Sequence, residues 1–174
     1  LYVGDGGRGA FHQTGGVCIV TAQLSVGCAD NAPDGVGEYN LTGGTLDTTA
    51  EDAWVCIGEN NNGQGTFTHT GGTHLANVIS LGYDPGTTGV YNLSGLAVLD
   101  VSSNGVWDGE LWVGDGEGTG VFNQAGGLLK GNGSLFVRGA TGATGTYQGW
   151  GVVGLTGELW NDGRFVADGA GSPQ

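Results

Sequence analysis

Short apolar segments alternate with glycine, asparagine and aspartate along the whole chain. Each segment is rich in Val, Leu, Ile, Thr and aromatic residues, a composition typical of β-strands bounded by turns. No stretch has the i, i+3, i+4, i+7 apolar spacing of an amphipathic helix. The pattern therefore predicts an all-β fold.

One motif recurs six times along the chain. It consists of a glycine, any residue, an aromatic residue, two further residues, a small residue and usually Gly-Gly. Its copies are GAFHQTGG (9–16), GEYNLTGG (37–44), GTFTHTGG (65–72), GVYNLSGL (89–96), GVFNQAGG (120–127) and GTYQGWGV (145–152). The aromatic column alternates between Phe and Tyr, as Phe11, Tyr39, Phe67, Tyr91, Phe122 and Tyr147. We expect these rings to lie inside the fold and to touch from one repeat to the next.

A glycine stands two residues before each of these rings, at Gly9, Gly37, Gly65, Gly89, Gly120 and Gly145. Residues i and i+2 of a strand share a face. A position without Cβ beside each ring would let the ring lie over the backbone. These glycines are therefore predicted to be structural.

A second motif, an apolar triplet ending at or near glycine, precedes each aromatic motif. Its copies are LYVG (1–4), LSVG (24–27), VCIG (55–58), ISLG (79–82), LWVG (111–114), LFVRG (135–139) and RFVADG (164–169). Its first six glycines are separated by 23, 31, 24, 32 and 25 residues, so short and long repeats alternate. We expect the longer repeats to carry an extra strand, at 45–54, 97–107 and 151–160.

Because the best match of each segment lies one repeat away, the repeats predict strands stacked in parallel about 4.8 Å apart. The predicted fold is a parallel β-helix, or β-solenoid, with about six to seven coils of 23–32 residues. Right-handed winding is expected for parallel crossovers. We expect residues 1–174 to form one β-solenoid domain, as a subunit or a segment of a longer array.

Acidic residues dominate the charge of the chain. The chain has four basic and 17 acidic residues, which gives a formal net charge of −13. This charge repels nucleic-acid backbones and anionic lipid headgroups, and no apolar run is long enough to insert into a membrane. The chain is also rich in Gly, Thr and Asn and poor in Lys, a composition that favours an extracellular or cell-surface protein.

The repeats resemble a known class of surface proteins. GTGVFNQAGG, GTFTHTGG, GVYNLSG and LWVGDG are similar to the tandem Gly-aromatic repeats of bacterial cell-surface proteins of the PEP-CTERM-sorted or autotransporter-passenger type. The resemblance implies export, a β-solenoid stalk and a place on the cell surface or in the extracellular matrix. It implies no catalytic residues.

Several residues are candidate metal ligands or modification sites. Asp5 and Asp115, in GDGG and GDGEG, are weak calcium candidates, and solvated turn acids are the favoured interpretation. Asn40, Asn92 and Asn132 begin Asn-x-Ser/Thr sequons and are candidate glycosylation sites. No other cofactor is expected. None of the histidines has a Ser, Cys or Asp partner at a motif position, which argues against a catalytic role. For His69 and His74, a hydrogen-bonded or solvent-exposed side chain is favoured over metal binding.

Cys18, Cys28 and Cys56 cannot all pair within one chain, and their spacing matches no zinc motif. Buried small hydrophobic side chains are the favoured interpretation, and a disulfide between two of them stays open.

Three functions fit the predicted solenoid. The first is a structural protein that assembles head to tail into a fibril or stalk, because 164–169 aligns with LYVG and puts both ends in the same phase. The alternative is a glycan-binding adhesin that uses its tryptophans, although core filling is favoured for them. The tryptophans are Trp54, Trp107, Trp112, Trp150 and Trp160. A polysaccharide-degrading enzyme is the least favoured function. Glycoside hydrolysis needs a pair of carboxylates, but among seventeen acidic residues some such pair is expected by chance. A lyase would need basic residues to bind an acidic glycan, and the chain has only four.

Overall fold

A computed structural model describes residues 1–30, 34–139 and 142–167, and within these ranges the chain forms strands and no helix. The strands are β1 (Tyr2–Asp5), β2 (Arg8–Gln13), β3 (Val17–Ile19), β4 (Gln23–Cys28), β5 (Val36–Leu41), β6 (Thr45–Thr48), β7 (Trp54–Glu59), β8 (Gln64–His69), β9 (Thr73–Ala76), β10 (Val78–Leu81), β11 (Thr88–Val101), β12 (Glu110–Val113), β13 (Thr119–Gly131), β14 (Ser134–Val137), β15 (Thr144–Leu155), β16 (Leu159–Asn161) and β17 (Arg164–Ala167).

The strands stack into parallel sheets that run the length of the molecule. The lead-in sheet has the order β1-β4-β7-β10-β12-β14-β16, and the ring sheet has the order β2-β5-β8-β11-β13-β15-β17. A third row consists of β3, β6, β9 and the second halves of β11, β13 and β15. Every strand pairs with its counterpart one coil away, so the predicted all-β solenoid is confirmed, with about six turns.

Alternate residues of each strand point into a narrow core. In the lead-in sheet the inward column runs through Val26, Ile57, Leu81, Val113 and Val137, which are all fully buried. Side chains of a strand alternate between its two faces, so the residues next to each of these core residues along the same strand face the outside of the coil.

The glycine before each ring marks a close approach of two strands. A Cβ atom on Gly65 would lie 2.0 Å from the carbonyl oxygen of Val26 in the lead-in sheet. This distance is too short for a Cβ atom, so the close approach of the two strands requires glycine at position 65.

The expectation of an extra strand in the longer repeats is wrong. The short repeats also contain the third strand, as β3 and β9 show. The repeats differ mainly in the corners between strands. The long corners span 49–53 and 102–109, whereas the corner between them is the single residue Asn77.

The expected lead-in role of RFVADG (164–169) is also wrong. Arg164–Ala167 pairs with β15 so that Phe165 lies opposite Tyr147, and Phe165 is therefore the seventh member of the ring column. Leu159–Asn161 continues the lead-in sheet instead, with Trp160 opposite Phe136. The sequence carries this signal, because Gly163 stands two residues before Phe165. The two ends are consequently not in the same phase.

Candidate functional site

The aromatic column forms one continuous stack inside the coil. Neighbouring ring centroids lie 4.6–5.2 Å apart, and the stack runs Phe11, Tyr39, Phe67, Tyr91, Phe122, Tyr147, Phe165. The central rings are nearly parallel, at 5° between Tyr39 and Phe67 and 7° between Phe67 and Tyr91. The spacing follows from the separation of neighbouring strands. The two terminal phenylalanines are half-buried and the five rings between them are buried.

Each buried tyrosine hydroxyl finds a partner on the preceding Phe coil. Tyr39 donates to Oε1 of Gln13 over 2.7 Å, Tyr147 donates to Oε1 of Gln124, and the hydroxyl of Tyr91 contacts Nδ1 of His69 over 3.0 Å. The partner stands two residues after the phenylalanine in each case. Tyr coils carry an apolar residue or glycine at that position: Leu41, Leu93 and Gly149. The Phe/Tyr alternation is thus coupled to an alternation of polar partners.

This polar column was missed in the sequence, although the alternation of Phe-x-Gln/His with Tyr-x-Leu/Gly signals it. A Tyr hydroxyl that is buried needs an acceptor. The neighbouring coil is the place to look for one, because strands in a solenoid contact the coils above and below.

At the centre of the stack the partners form a relay of five groups. His69 Nε2 lies 3.2 Å from the carbonyl oxygen of Gly72, and His74 Nδ1 lies 3.2 Å from the Tyr91 hydroxyl. His74 Nε2 lies 3.3 Å from Oγ1 of Thr48. The Thr48 hydroxyl shares its proton between Nε2 of His74 and the carbonyl oxygen of Leu75, which lies 3.1 Å from its Oγ1. The other contacts fit one set of protons: His74 donates to Tyr91, Tyr91 donates to His69, and His69 donates to Gly72.

Burial keeps this relay uncharged. Desolvation lowers the pKa of His69 to about 4, lowers the pKa of His74 well below its ordinary value, and raises the pKa of Tyr91. Each neutral histidine uses one ring nitrogen as donor and the other as acceptor. The network therefore accounts for both buried histidines without a metal, while His12 is exposed.

A cleft of about 410 Å³ opens on the outside of the lead-in sheet, where the short corner Asn77 lies between the two long corners. We call it the corner cleft. Its lining consists of Glu51, Asp52, Ala53, Trp54, Val78, Tyr83, Trp107, Glu110, Trp112 and Asp115. Asn104 donates to the carbonyl oxygens of Thr49 and Ala50 over 3.3 and 3.5 Å, which joins the two long corners across the short coil.

The tryptophans face outward, so the expectation that they fill the core is wrong. Trp54, Trp107, Trp150 and Trp160 are exposed, and Trp112 is half-buried on the outer face of the lead-in sheet. The core is too narrow for them, because the stacked phenyl and phenol rings and aliphatic side chains already fill it.

The outer aromatic residues of the lead-in sheet form a second, shorter stack. Trp112 stacks on Phe136 with ring centroids 4.0 Å apart, and Trp160 is the register partner of Phe136 on the following strand. On the preceding strand the position opposite Trp112 is Ser80. Ser80 is buried, whereas Trp112 lines the corner cleft.

The two calcium candidates lie at separate places. Asp5 is grouped with Cys28 and Asp30, with ligand atoms within 4.8 Å of one another, whereas Asp115 accepts from Ser80 Oγ over 2.9 Å. Burial raises the pKa of the Cys28 thiol to about 11, which makes it a poor metal ligand. This group offers two carboxylates, so most of the six to eight oxygens that calcium takes would have to come from backbone carbonyls or water. Asp168, the acidic residue of RFVADG (164–169), lies outside the described residues.

The cysteines are free thiols, buried at Cys28 and Cys56 and half-buried at Cys18. The candidate glycosylation sites differ in their surroundings. Asn132 is exposed, whereas Asn40 and Asn92 are half-buried on the ring sheet, where Asn92 accepts from Asn123 over 2.8 Å.

No protein-family model, curated protein or solved structure matches this chain. Within the described residues no helix is long and apolar enough to cross a membrane.

Proposed function

We propose that the chain is a structural β-solenoid of the cell surface or extracellular matrix and that it elongates by end-to-end stacking. Within the described residues, the core is uncovered at the last coil, and this observation carries the proposal. Val153 and Leu159 occupy inward columns but are 46% and 62% exposed, whereas Leu135, the register partner of Leu159, is 1% exposed. A further coil would bury these two side chains.

The opposite end of the described structure is open in the same way. Each of β1, β2 and β3 pairs with a strand on one side alone, and Phe11 and Cys18 of the inward columns are half-buried. Unpaired parallel edges with apolar interiors favour addition of further strands. A second copy of the chain supplies such strands.

The rings at the two ends are compatible with stacking. The first and last members of the ring column are both phenylalanine, Phe11 and Phe165, so neither brings a hydroxyl that must find an acceptor at the junction. The composition, rich in Gly, Thr and Asn and poor in Lys, and the resemblance to surface-protein repeats support an extracellular role for such a fibril.

The test is an assembly assay with purified protein. We expect the chain to form fibrils whose length increases with concentration, measured by electron microscopy and sedimentation. Val153→Lys places a charge in the open inward column and should abolish elongation. Val106→Lys, the same substitution at an exposed residue of corner 102–109, should leave elongation unchanged. Monomers at all concentrations, or equal behaviour of the two variants, contradict the proposal.

The exposed tryptophans favour a second candidate function, glycan binding. Large indole rings on a monomer surface cost solvation free energy and are typical of recognition surfaces. Four of the five are exposed, and three of the five line the corner cleft.

A further inference from the structure

We infer that the corner cleft binds an amine-bearing sugar unit, such as an amino sugar within a polysaccharide. This inference rests on the second proposed function and adds its site and the charge of its ligand. A volume of about 410 Å³ falls within the range of small-molecule sites.

Aromatic surfaces form one wall of the cleft. Trp54 meets Tyr83 edge to face, with ring centroids 5.3 Å apart, and Trp112 also lines the cleft. Trp107 extends from corner 102–109. Flat apolar rings of this kind stack on the C–H faces of a sugar and attract a nearby cation through the ring quadrupole.

Carboxylates supply the polar groups of the cleft. Glu110 accepts from Nε1 of Trp112 over 2.9 Å and so helps to orient that ring, and Asp115 accepts from Ser80 Oγ. Glu51 and Asp52 are exposed on corner 49–53 and have no ion-pair partner among the described residues. They are therefore available to a ligand.

The charge of the cleft selects among sugars. Four carboxylates line the cleft, and no Lys or Arg side chain does. Arg138 contacts the Trp112 ring but is not part of the lining. An anionic sugar would be repelled, and a protonated amine would gain both Coulomb attraction and contact with the indole rings. Amino-sugar chains combine that cation with the apolar ring faces that the tryptophans need.

The cleft is held in shape before a ligand arrives. Besides the contacts of Asn104 with Thr49 and Ala50, the Oδ1 atom of Asn104 accepts from the backbone N–H groups of Val106 and Trp107 over 2.8 and 2.9 Å. These bonds fix the corner that carries Trp107. Less conformational entropy is then lost on binding.

Calorimetric titration with three oligosaccharides tests the inference: glucosamine oligomers, their N-acetylated counterparts and oligogalacturonate. We expect the glucosamine oligomers to bind most tightly, with an affinity that falls as salt is raised. Trp107→Ala should weaken this binding at least fivefold. Trp160→Ala is the matched control, because Trp160 is 57% exposed, Trp107 is 56% exposed and Trp160 lies outside the cleft. It should leave binding unchanged.

A charge-matched pair of variants separates site binding from general attraction between a polycation and an acidic protein. Glu51→Gln/Asp52→Asn should weaken binding at least fivefold. Glu38→Gln/Glu117→Gln removes two exposed acids elsewhere and should have little effect. Equal effects of the two double variants would overturn the inference.

The remaining outcomes distinguish the site from the function. Equal affinity for the N-acetylated oligomers, or loss of binding in Trp160→Ala but not in Trp107→Ala, refutes the inference and leaves glycan binding standing. Failure of all three oligosaccharides to bind refutes both.

Discussion

The hydroxyl group of Tyr91 contacts two histidine rings in the middle of the ring column. It is the junction of the buried relay, because it accepts from His74 and donates to His69. The other tyrosines of the column, Tyr39 and Tyr147, each meet one glutamine. Residue identity along the interior is therefore set by hydrogen-bond satisfaction as well as by volume.

Replacing Tyr91 with Phe should destabilise the fold although it removes a single oxygen. The change leaves Nδ1 of both His69 and His74 buried without a partner, at a cost of about 1–3 kcal/mol. Chemical denaturation measures it. Tyr83→Phe, at a half-buried residue outside the core, should cost less than about 0.5 kcal/mol.

The double variant Tyr91→Phe/His69→Leu tests the cause. Leucine occupies the corresponding position in the neighbouring Tyr coils, and it removes one of the two orphaned nitrogen atoms. We expect part of the lost stability to return. Strict additivity of the two single changes would show that the relay is not a coupled unit.

The buried histidines should also make stability depend on pH. Their pKa values are lower in the folded chain than the ordinary 6.5, so below pH 6.5 the unfolded state binds protons that the folded state does not. Stability is then lost as the pH falls from 6.5 toward the folded pKa, which is about 4 for His69. The slope is about 1.4 kcal/mol per pH unit for each histidine.

His69→Gln is the informative variant for this dependence. Glutamine stands at the same position after Phe11 and Phe122, accepts from tyrosine there and does not titrate. Denaturation between pH 7 and pH 5 should show about half of the pH dependence in this variant. His12→Gln, at an exposed histidine, should match the parent chain.

At the scale of the strand, the glycine before each ring sets how closely the lead-in and ring sheets approach. Gly65→Ala would place a methyl group 2.0 Å from the Val26 carbonyl oxygen, so backbone must move. We expect a loss of about 1–3 kcal/mol, typical of overpacking. Gly15→Ala is the control, since no atom lies within 4 Å of its added Cβ, and it should change stability by less than about 0.5 kcal/mol. Equal melting temperatures for the two variants would contradict the close approach.

The corners differ from the strands in what they contribute. Strand register repeats from coil to coil, whereas the corners vary from the single residue Asn77 to the segment 102–109. Because corners lie outside the ladder of backbone hydrogen bonds, their length can change without altering the stack. The corner cleft is a product of this freedom.

Across the whole molecule, stability should depend on continuity of the stack. Phe67 contacts the rings of Tyr39, Tyr91, His69 and His74, and its replacement with Ala should cost about 3–5 kcal/mol. Each coil contacts mainly its neighbours, so the loss should be local. Hydrogen exchange should accelerate most in the coils next to Phe67.

Thr68→Ala is the control at the adjacent residue, whose side chain faces outward. It should cost less than about 0.5 kcal/mol. Uniform acceleration of exchange along the chain in Phe67→Ala would indicate that the solenoid unfolds as one unit.

The sequence by itself determined the strands, their parallel stacking and the ring column. These features repeat, and a repeat places each residue beside its equivalent one coil away, so a local pattern specifies a long-range contact. The Gly-x-aromatic spacing was sufficient for this. The same pattern also contained Gly163 and Phe165, but the apolar triplet around Phe165 resembled the lead-in motif more closely.

The tertiary structure alone decided which surfaces the non-repeating residues form. The outward position of Trp112 depends on strand parity relative to a core that is already filled, and the position of Trp107 depends on an irregular corner. The contacts of Asn104 with Thr49 and Ala50 join residues two coils apart. The relay likewise needs His69 and His74 to meet across a turn of the chain. Such contacts follow from the path of the backbone at corners, where no periodicity constrains it.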